Sequence, residues 1–378
     1  MFKRKLVLYD LLEKKSFFLF GPRATGKTTL IEQTLHGARI LDLLQSETYT
    51  SLLKNPSLLS EMVEDHDGIV VIDEIQKLPQ LLDEVHRLIQ KKGSKFLLAG
   101  SSARKLKHGG ANLLAGRAWE ARLFPLSWSE ITKFDLLRYL NQGGLPDIYL
   151  SEFPSEELES YVSLYLQEEI KAEAVTRNVA AFAEFLDAVG LANGEEINFE
   201  RFASDLQVSP STLRNYFQIL EDTLIGFRLP GYVKTVKRKA TQRAKHYLFD
   251  VGVAKHLSRM GQVLSGSENF GKLFEHFILL EVRAYLSYSR KKLKMAYWRS
   301  TSKLEVDLII GEKLAVEVKS TKMVLPKHMK GIRALKEEGL IEKYCIVSLD
   351  SNIRTTEDGV KIYPWKDFLE LLWNGELV

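Results

Sequence analysis

Residues 1–126 alternate short apolar runs with amphipathic stretches. Phe17–Phe20, Ile69–Asp73 and Phe96–Gly100 are apolar almost without interruption, and Arg39–Asp42 and Ala121–Leu126 are further candidate strands. Continuous apolarity over so short a run suits strands buried on both faces, so the region predicts a parallel sheet flanked by helices. Between two of the runs, Leu81–Gln90 places Leu82, Val85, Leu88 and Ile89 on one side of a helix. After Pro125 the period is helical up to about Val189, interrupted at Gly143-Gly144-Leu145-Pro146.

Glu196–Tyr232 predicts a helix–turn–helix. Phe199–Leu206 is the first helix, Gln207–Pro210 the turn and Ser211–Asp222 the second helix, with Leu213, Tyr216, Phe217 and Leu220 as its buried stripe. Ser209 or Ser211 caps that helix, and Pro210 suits its opening. Arg214, Asn215 and Gln218 fall off the stripe and are free to face a groove. Beyond Lys245 a mixed pattern returns: a long helix at Glu268–Ser289, three short strands, a helix near Pro326–Glu338, then closing strands and a helix.

Composition adds limits. The chain has 378 residues, 45% apolar and 27% charged, which suits several globular domains. The net charge of +4 does not by itself announce a nucleic-acid binder. Its distribution says more: Leu224–His246 holds Arg228, Lys234, Lys237, Arg238, Lys239, Arg243 and Lys245 without one acid, and Arg290, Lys291, Lys292 and Lys294 form a second cluster. Such runs are either solvated faces or phosphate contacts. The single cysteine, Cys345, excludes an internal disulfide framework and reads as a buried strand residue. No apolar stretch approaches the roughly 20 residues of a membrane span, and Met1–Lys5 leads into no secretion-type apolar segment. A cytoplasmic protein with no membrane partner is expected.

The first strand runs into Gly21-Pro22-Arg23-Ala24-Thr25-Gly26-Lys27-Thr28-Thr29, which fits G-x-x-x-x-G-K-[ST] without a mismatch. The glycines let successive amides close around phosphate oxygens, Lys27 adds a mobile charge at the outer phosphates, and the Thr28 hydroxyl suits Mg²⁺. Every residue from Gly21 to Thr29 is a candidate ATP contact. Ile69–Ile72 then delivers Asp73 for the Mg²⁺ shell and Glu74 to polarise the attacking water. Ser101, after the next strand, is placed beside the outer phosphate.

With Ser101-Ser102 and Arg117 before the fifth strand, the order resembles the AAA-type P-loop ATPases. The resemblance implies that Arg117 is an arginine finger, commonly supplied by a neighbouring subunit and hence a sign of a homo-oligomer. Arg23 is a second candidate for that contact. No clear sensor arginine stands near Gly143–Pro146, which departs from the wider family. More specifically, the chain resembles a large group of prokaryotic ATP-binding proteins that join this ATPase to a C-terminal domain of poorly known function with a restriction-endonuclease-like core. Gly21-Pro22-Arg23, Asp73-Glu74-Ile75-Gln76-Lys77, Gly100-Ser101-Ser102, Leu114-Ala115-Gly116-Arg117 and Gly143-Gly144-Leu145-Pro146 carry that likeness.

Leu304–Lys319 reads as a hairpin. Residues two apart share a face, and a three-residue loop at Gly311–Lys313 places Asp307 opposite Glu317, with Lys319 beside them. Two carboxylates and an ammonium on one patch suit a hard cation and hydrolytic chemistry. Glu275 lies on the long helix beside its apolar stripe, where a carboxylate is costly without a metal or partner. The set resembles the PD-(D/E)xK nuclease core: Asp307, Glu317 and Lys319 match its motif and Glu275 its helix acid, which implies metal binding by Glu275, Asp307 and Glu317 and catalysis by Lys319.

The expected architecture is therefore α/β in four parts: an AAA-type P-loop ATPase core over 1–126, a helical lid over 127–190, a winged-helix-like module over 191–240 and a PD-(D/E)xK nuclease-like domain over 241–378. The expected activity is ATP hydrolysis with Mg²⁺, with Lys27, Glu74 and Arg117 in catalysis, acting on nucleic acid, DNA first. The alternative is an ATP-controlled switch whose nuclease-like domain binds nucleic acid or a partner without cutting.

Overall fold

The computed structural model describes residues 2–64, 66, 68–102, 104, 106, 113–166 and 179–378. They form two compact units. The first runs to Leu126 and includes Gln218–Ile225; the second holds the remaining described residues. The expected helical stretch across 167–178 lies outside the described residues, as do 107–112 before Gly116.

The first unit is built on five strands: β1 (Ser16–Phe20), β2 (Arg39–Asp42), β3 (Ile69–Asp73), β4 (Lys95–Gly100) and β5 (Ala118–Arg122). Their order is β2-β3-β4-β1-β5 and every pairing is parallel. Strand β1 is buried throughout, which explains its unbroken Phe-Phe-Leu-Phe run. The helix Leu81–Lys92 buries Leu81, Leu82, Val85 and Leu88 and ends on Gly93 at φ 68°, a left-handed turn that glycine adopts without strain. Strands β1, β4 and β3 end side by side, with Phe20 paired to Gly100 and Ile72 to Leu98. The segments that follow them therefore share one rim of the sheet, the usual ligand rim of an open parallel sheet.

One boundary is corrected. The fifth strand is Ala118–Arg122 rather than Ala121–Leu126, because its ladder with β1 runs from Ser16↔Ala118 to Phe20↔Arg122. As an edge strand it buries only Ala121, so it lacks the apolar signature, whereas Leu123 and Leu126 are buried after the chain has left the ladder.

The helix–turn–helix forms from Phe199–Asp205, in the second unit, and Pro210–Asp222, whose residues from Gln218 on are counted with the first. Gln207 turns the chain at φ 52°, and Ser209 Oγ accepts the Thr212 amide at 3.1 Å. Leu213, Tyr216 and Phe217 are buried as expected, and the rings of Phe182 and Phe185 pack on Tyr216. Strands β6 (Gly226–Leu229) and β7 (Lys245–Leu248) pair antiparallel. Then come the helix Glu268–Tyr288 and a six-stranded sheet: β8 (Met295–Arg299), β9 (Glu305–Ile310), β10 (Leu314–Lys319), β11 (Lys343–Ser348), β12 (Arg354–Thr355) and β13 (Lys361–Pro364), ordered β12-β13-β11-β10-β9-β8. Strands β8, β9 and β10 form an antiparallel meander, and β10, β11 and β13 run parallel. Ile332 and Leu335 of the helix Lys330–Lys336 join Trp298, Ile309, Ala315 and Ile346 in one buried cluster. Among the described residues no helix is long and apolar enough to cross a membrane.

Candidate functional site

In the first unit the loop Gly21–Gly26 leaves β1 and enters the helix Lys27–Thr34. Ala24 and Gly26 take positive φ of 60° and 86°, which curls the backbone so that successive amides face one concavity. Lys27 Nζ donates to the carbonyls of Gly21 at 2.7 Å and Pro22 at 3.1 Å. Thr25 Oγ1 donates to the Pro22 carbonyl, also inside the loop. Thr28 Oγ1 donates to Asp73 Oδ2 at 2.9 Å, which joins the loop to the end of β3. The hydroxyl and carboxylate thus sit as a pair of oxygen donors, a set that fits Mg²⁺. Asp73 Oδ1 accepts the Glu74 amide at 3.0 Å. Glu74 itself stands at φ 58°, a strained left-handed conformation at the end of β3.

Sequence reasoning assigned no role to Gln76 or Arg4. Gln76 Nε2 donates to both Glu74 Oε2 and, at 3.1 Å, Ser101 Oγ, so one amide ties the candidate base to the residue after β4. A Cβ on Gly100 would meet the Gln76 amide oxygen, so a larger residue there would displace this side chain. Arg4 holds the loop from outside through the carbonyls of Thr25 at 2.8 Å and Phe124 at 2.5 Å. The motif Asp-Glu-Ile-Gln-Lys contained the first signal; nothing local signalled Arg4.

Arg117 is not brought to this loop. It precedes Ala118, which pairs with Ser16 at the start of β1, whereas the loop follows Phe20 at the other end. The separation is about 13 Å along the strand at roughly 3.3 Å per residue.

In the second unit the hairpin register is Leu314↔Ile310, Ala315↔Ile309 and Val316↔Leu308, so the next positions facing each other are Asp307 and Glu317. Asp307 Oδ2 accepts the Val318 amide at 2.7 Å. Glu317 Oε1 pairs with Lys319, and its Oε2 is buried with no hydrogen-bond partner among the described residues. Burial, then the Glu275 charge, pushes the Asp307 carboxyl up to about 6. Burial and the Asp307 charge raise Glu317 well above the ordinary range. Two enclosed acids that resist ionising together, one with an orphaned oxygen, fit a divalent cation in their midst.

Glu275 lies close by but is engaged elsewhere. Its Oε1 accepts from Tyr247 at 2.8 Å and pairs with Lys245 at 3.5 Å. Among the described residues no group of three or more His, Cys, Asp or Glu side chains is arranged to hold a metal. Lys245 stands in the basic run expected to be either a solvated face or a phosphate contact, yet it is buried, 2.6 Å from Glu305 Oε1. Lys234 pairs with Glu312 at 2.5 Å, and Arg238 pairs with Glu337, so much of the run is matched by acids distant in sequence. Arg214, Asn215 and Gln218 stay exposed, and Arg214 stacks over Phe199.

Residues 13–132 match the family model of the AAA domain, which supports a P-loop ATPase fold for this part of the chain. Residues 133–263 and 270–368 match two domains of unknown function. An uncharacterized protein of Methanocaldococcus jannaschii is 26% identical over an alignment of 436 positions, covering 98% of this chain and 88% of the relative. One of Mycobacterium tuberculosis is 24% identical over 314 residues, 80% of this chain and 70% of the relative. A structure of the Aeropyrum pernix ORC1 protein in complex with DNA aligns at 13% identity over 67% of this chain and 90% of its own, with a TM-score of 0.25. At that score the superposition is too loose to place a domain.

Proposed function

We propose that this protein hydrolyses ATP at the Gly21–Thr29 loop and uses it to act on nucleic acid, which the second unit cleaves with a divalent cation. The hydrogen bond between Thr28 and Asp73, 45 residues apart, carries the ATPase half, because it sets loop and carboxylate at one rim of the sheet. Mg²⁺ bound by Thr28 and Asp73 would draw charge from the phosphates. The loop amides and Lys27 bind and orient the outer phosphates. Glu74 takes the proton of the attacking water, and Gln76 fixes the direction of that carboxylate. Arg117, at the opposite end of β1, is available to a neighbouring copy's nucleotide, and Arg23 is a second contact of that kind.

Support for the nucleic-acid half comes from the pairing of Asp307, Glu317 and Lys319 on one hairpin. Asp307 and Glu317 would hold the cation, which would polarise a phosphodiester oxygen and its water. Lys319 steadies charge that develops on the phosphate. The winged-helix-like module over 191–240 and the basic stretch up to Lys245 would supply DNA contacts through Arg214, Asn215, Gln218 and the exposed Lys239 and Arg243. A second reading, recognition without cutting, is favoured by one observation: Glu275 is held by Lys245 and Tyr247 rather than presented to a cation. Incubating the protein with single- and double-stranded DNA and RNA, with ATP and with Mg²⁺ or Mn²⁺, decides. Cleavage lost in Asp307→Ala supports the nuclease, whereas intact substrates throughout leave the switch.

A further inference from the structure

Lys245 belongs to no motif, yet its side chain is only 6% exposed. Strand β7 carries it into the acidic pocket together with Tyr247, two residues on and on the same face. Its ammonium lies 2.6 Å from Glu305 Oε1 and 3.5 Å from Glu275 Oε1. Tyr247 donates to that same Glu275 oxygen at 2.8 Å. A charge so enclosed is tolerated only against carboxylates; Glu275 and Glu305 supply them, Glu305 pairing also with Arg299 through its other oxygen at 3.5 Å.

The charges then leave a definite remainder. Arg299 also reaches Glu305, at 3.5 Å, and Glu196, at 3.4 Å; when all are ionised, Glu196, Glu275, Glu305, Asp307 and Glu317 bring five negative charges and Lys245, Arg299 and Lys319 three positive ones, so two negative charges are unmatched. That equals one divalent cation. The deficit is localised, because Glu317 Oε2 is buried and without a partner in a residue only 5% exposed. A second divalent cation would have to share Glu275 or Glu305 with an ammonium already seated there, against strong repulsion in a poorly solvated pocket.

We infer that Lys245 is the resident cation of this pocket: a positioning residue that holds Glu275 and Glu305 back and limits the site to one divalent cation between Asp307 and Glu317. The inference rests on reading those two acids as metal ligands, and it goes beyond that reading by fixing the stoichiometry and its cause.

The test counts Mn²⁺ bound per full-length chain without nucleotide, in wild type and in Asp307→Ala; the difference is the occupancy of the pocket. One Mn²⁺ is expected for wild type and for Lys245→Arg. Folded Lys245→Met is expected to take two, with the spin coupling of a close pair in its EPR spectrum. A wild-type difference of two, or of none, overturns the inference, and so does folded Lys245→Met remaining at one. Should Lys245→Met fail to fold, the wild-type count decides. Cleavage is scored separately: cutting with two Mn²⁺ in wild type overturns the inference and spares the nuclease reading, while one Mn²⁺ without cutting does the reverse.

Discussion

Around Gly21–Thr29 the side chains close on nearby backbone: Lys27 on the carbonyls of Gly21 and Pro22, Thr25 on Pro22, Arg4 on Thr25. Around Asp307 the contacts run mostly between charged side chains, and they come from β7, the helix Glu268–Tyr288, β9 and β10. A site made of one folded-back loop keeps its shape when a side chain is removed. A site made of opposed charges does not, since each deletion leaves another charge buried and unmatched. Function and stability should therefore separate cleanly in the first and be entangled in the second.

The largest effect should come from Lys27→Ala. Loss of a preorganised charge at the phosphates lowers turnover about 100-fold or more, while the melting curve stays near wild type; normal phosphate release would end the ATPase assignment. The matching change, Asp307→Ala, should abolish cation-dependent cleavage and leave ATP turnover largely intact, and a joint loss of both activities would contradict two separate sites. Lys245→Met should behave in the opposite way to Lys27→Ala, with a stability loss of about 3 kcal/mol from the stranded Glu275 and Glu305, read by denaturant unfolding. A variant as stable as wild type would show that the pocket is no more fragile than the loop.

Gln76→Leu should lower kcat about 10-fold with KM for ATP little changed, as expected for a residue that aims a base rather than binding substrate. A further effect, read from pH rather than from activity, concerns a buried acid away from both sites. Glu281 accepts from the Trp128 amide at 2.6 Å and Trp373 Nε1 at 2.8 Å, and burial pushes its carboxyl up to about 8. The folded state then keeps a proton that the unfolded chain releases above pH 4.5, so stability falls as pH rises from about 4.5 to about 8 and levels off beyond. The slope is at most about 1.4 kcal/mol per pH unit. Glu281→Gln should flatten that part of the profile, and an unchanged slope would assign it to other groups.

The same contrast explains what was readable in advance. The loop motif, the strand ending Asp73-Glu74 and the hairpin register that sets Asp307 against Glu317 are local patterns, fixed by turn length and by the two-residue period of a strand. The edge strand Ala118–Arg122 was misplaced because a half-exposed strand has no apolar run to mark it. The burial of Lys245 could not be seen in advance because its partners, Glu275 and Glu305, lie 30 and more residues away, and only packing brings them together. Gln76 stood in view but without a role, since its task depends on Ser101 from another strand.

The glycine that opens the loop answers to two masters. A Cβ on Gly21 would stand 2.5 Å from the Leu123 carbonyl, an atom of backbone that cannot swing aside. A saturation library at this position, sorted only for folded protein and never exposed to nucleotide, should therefore return glycine alone. In a diverged copy that had lost Lys27 and Asp73, a surviving glycine at this place would record the packing of β1 against the chain after β5. It would be no memory of ATP.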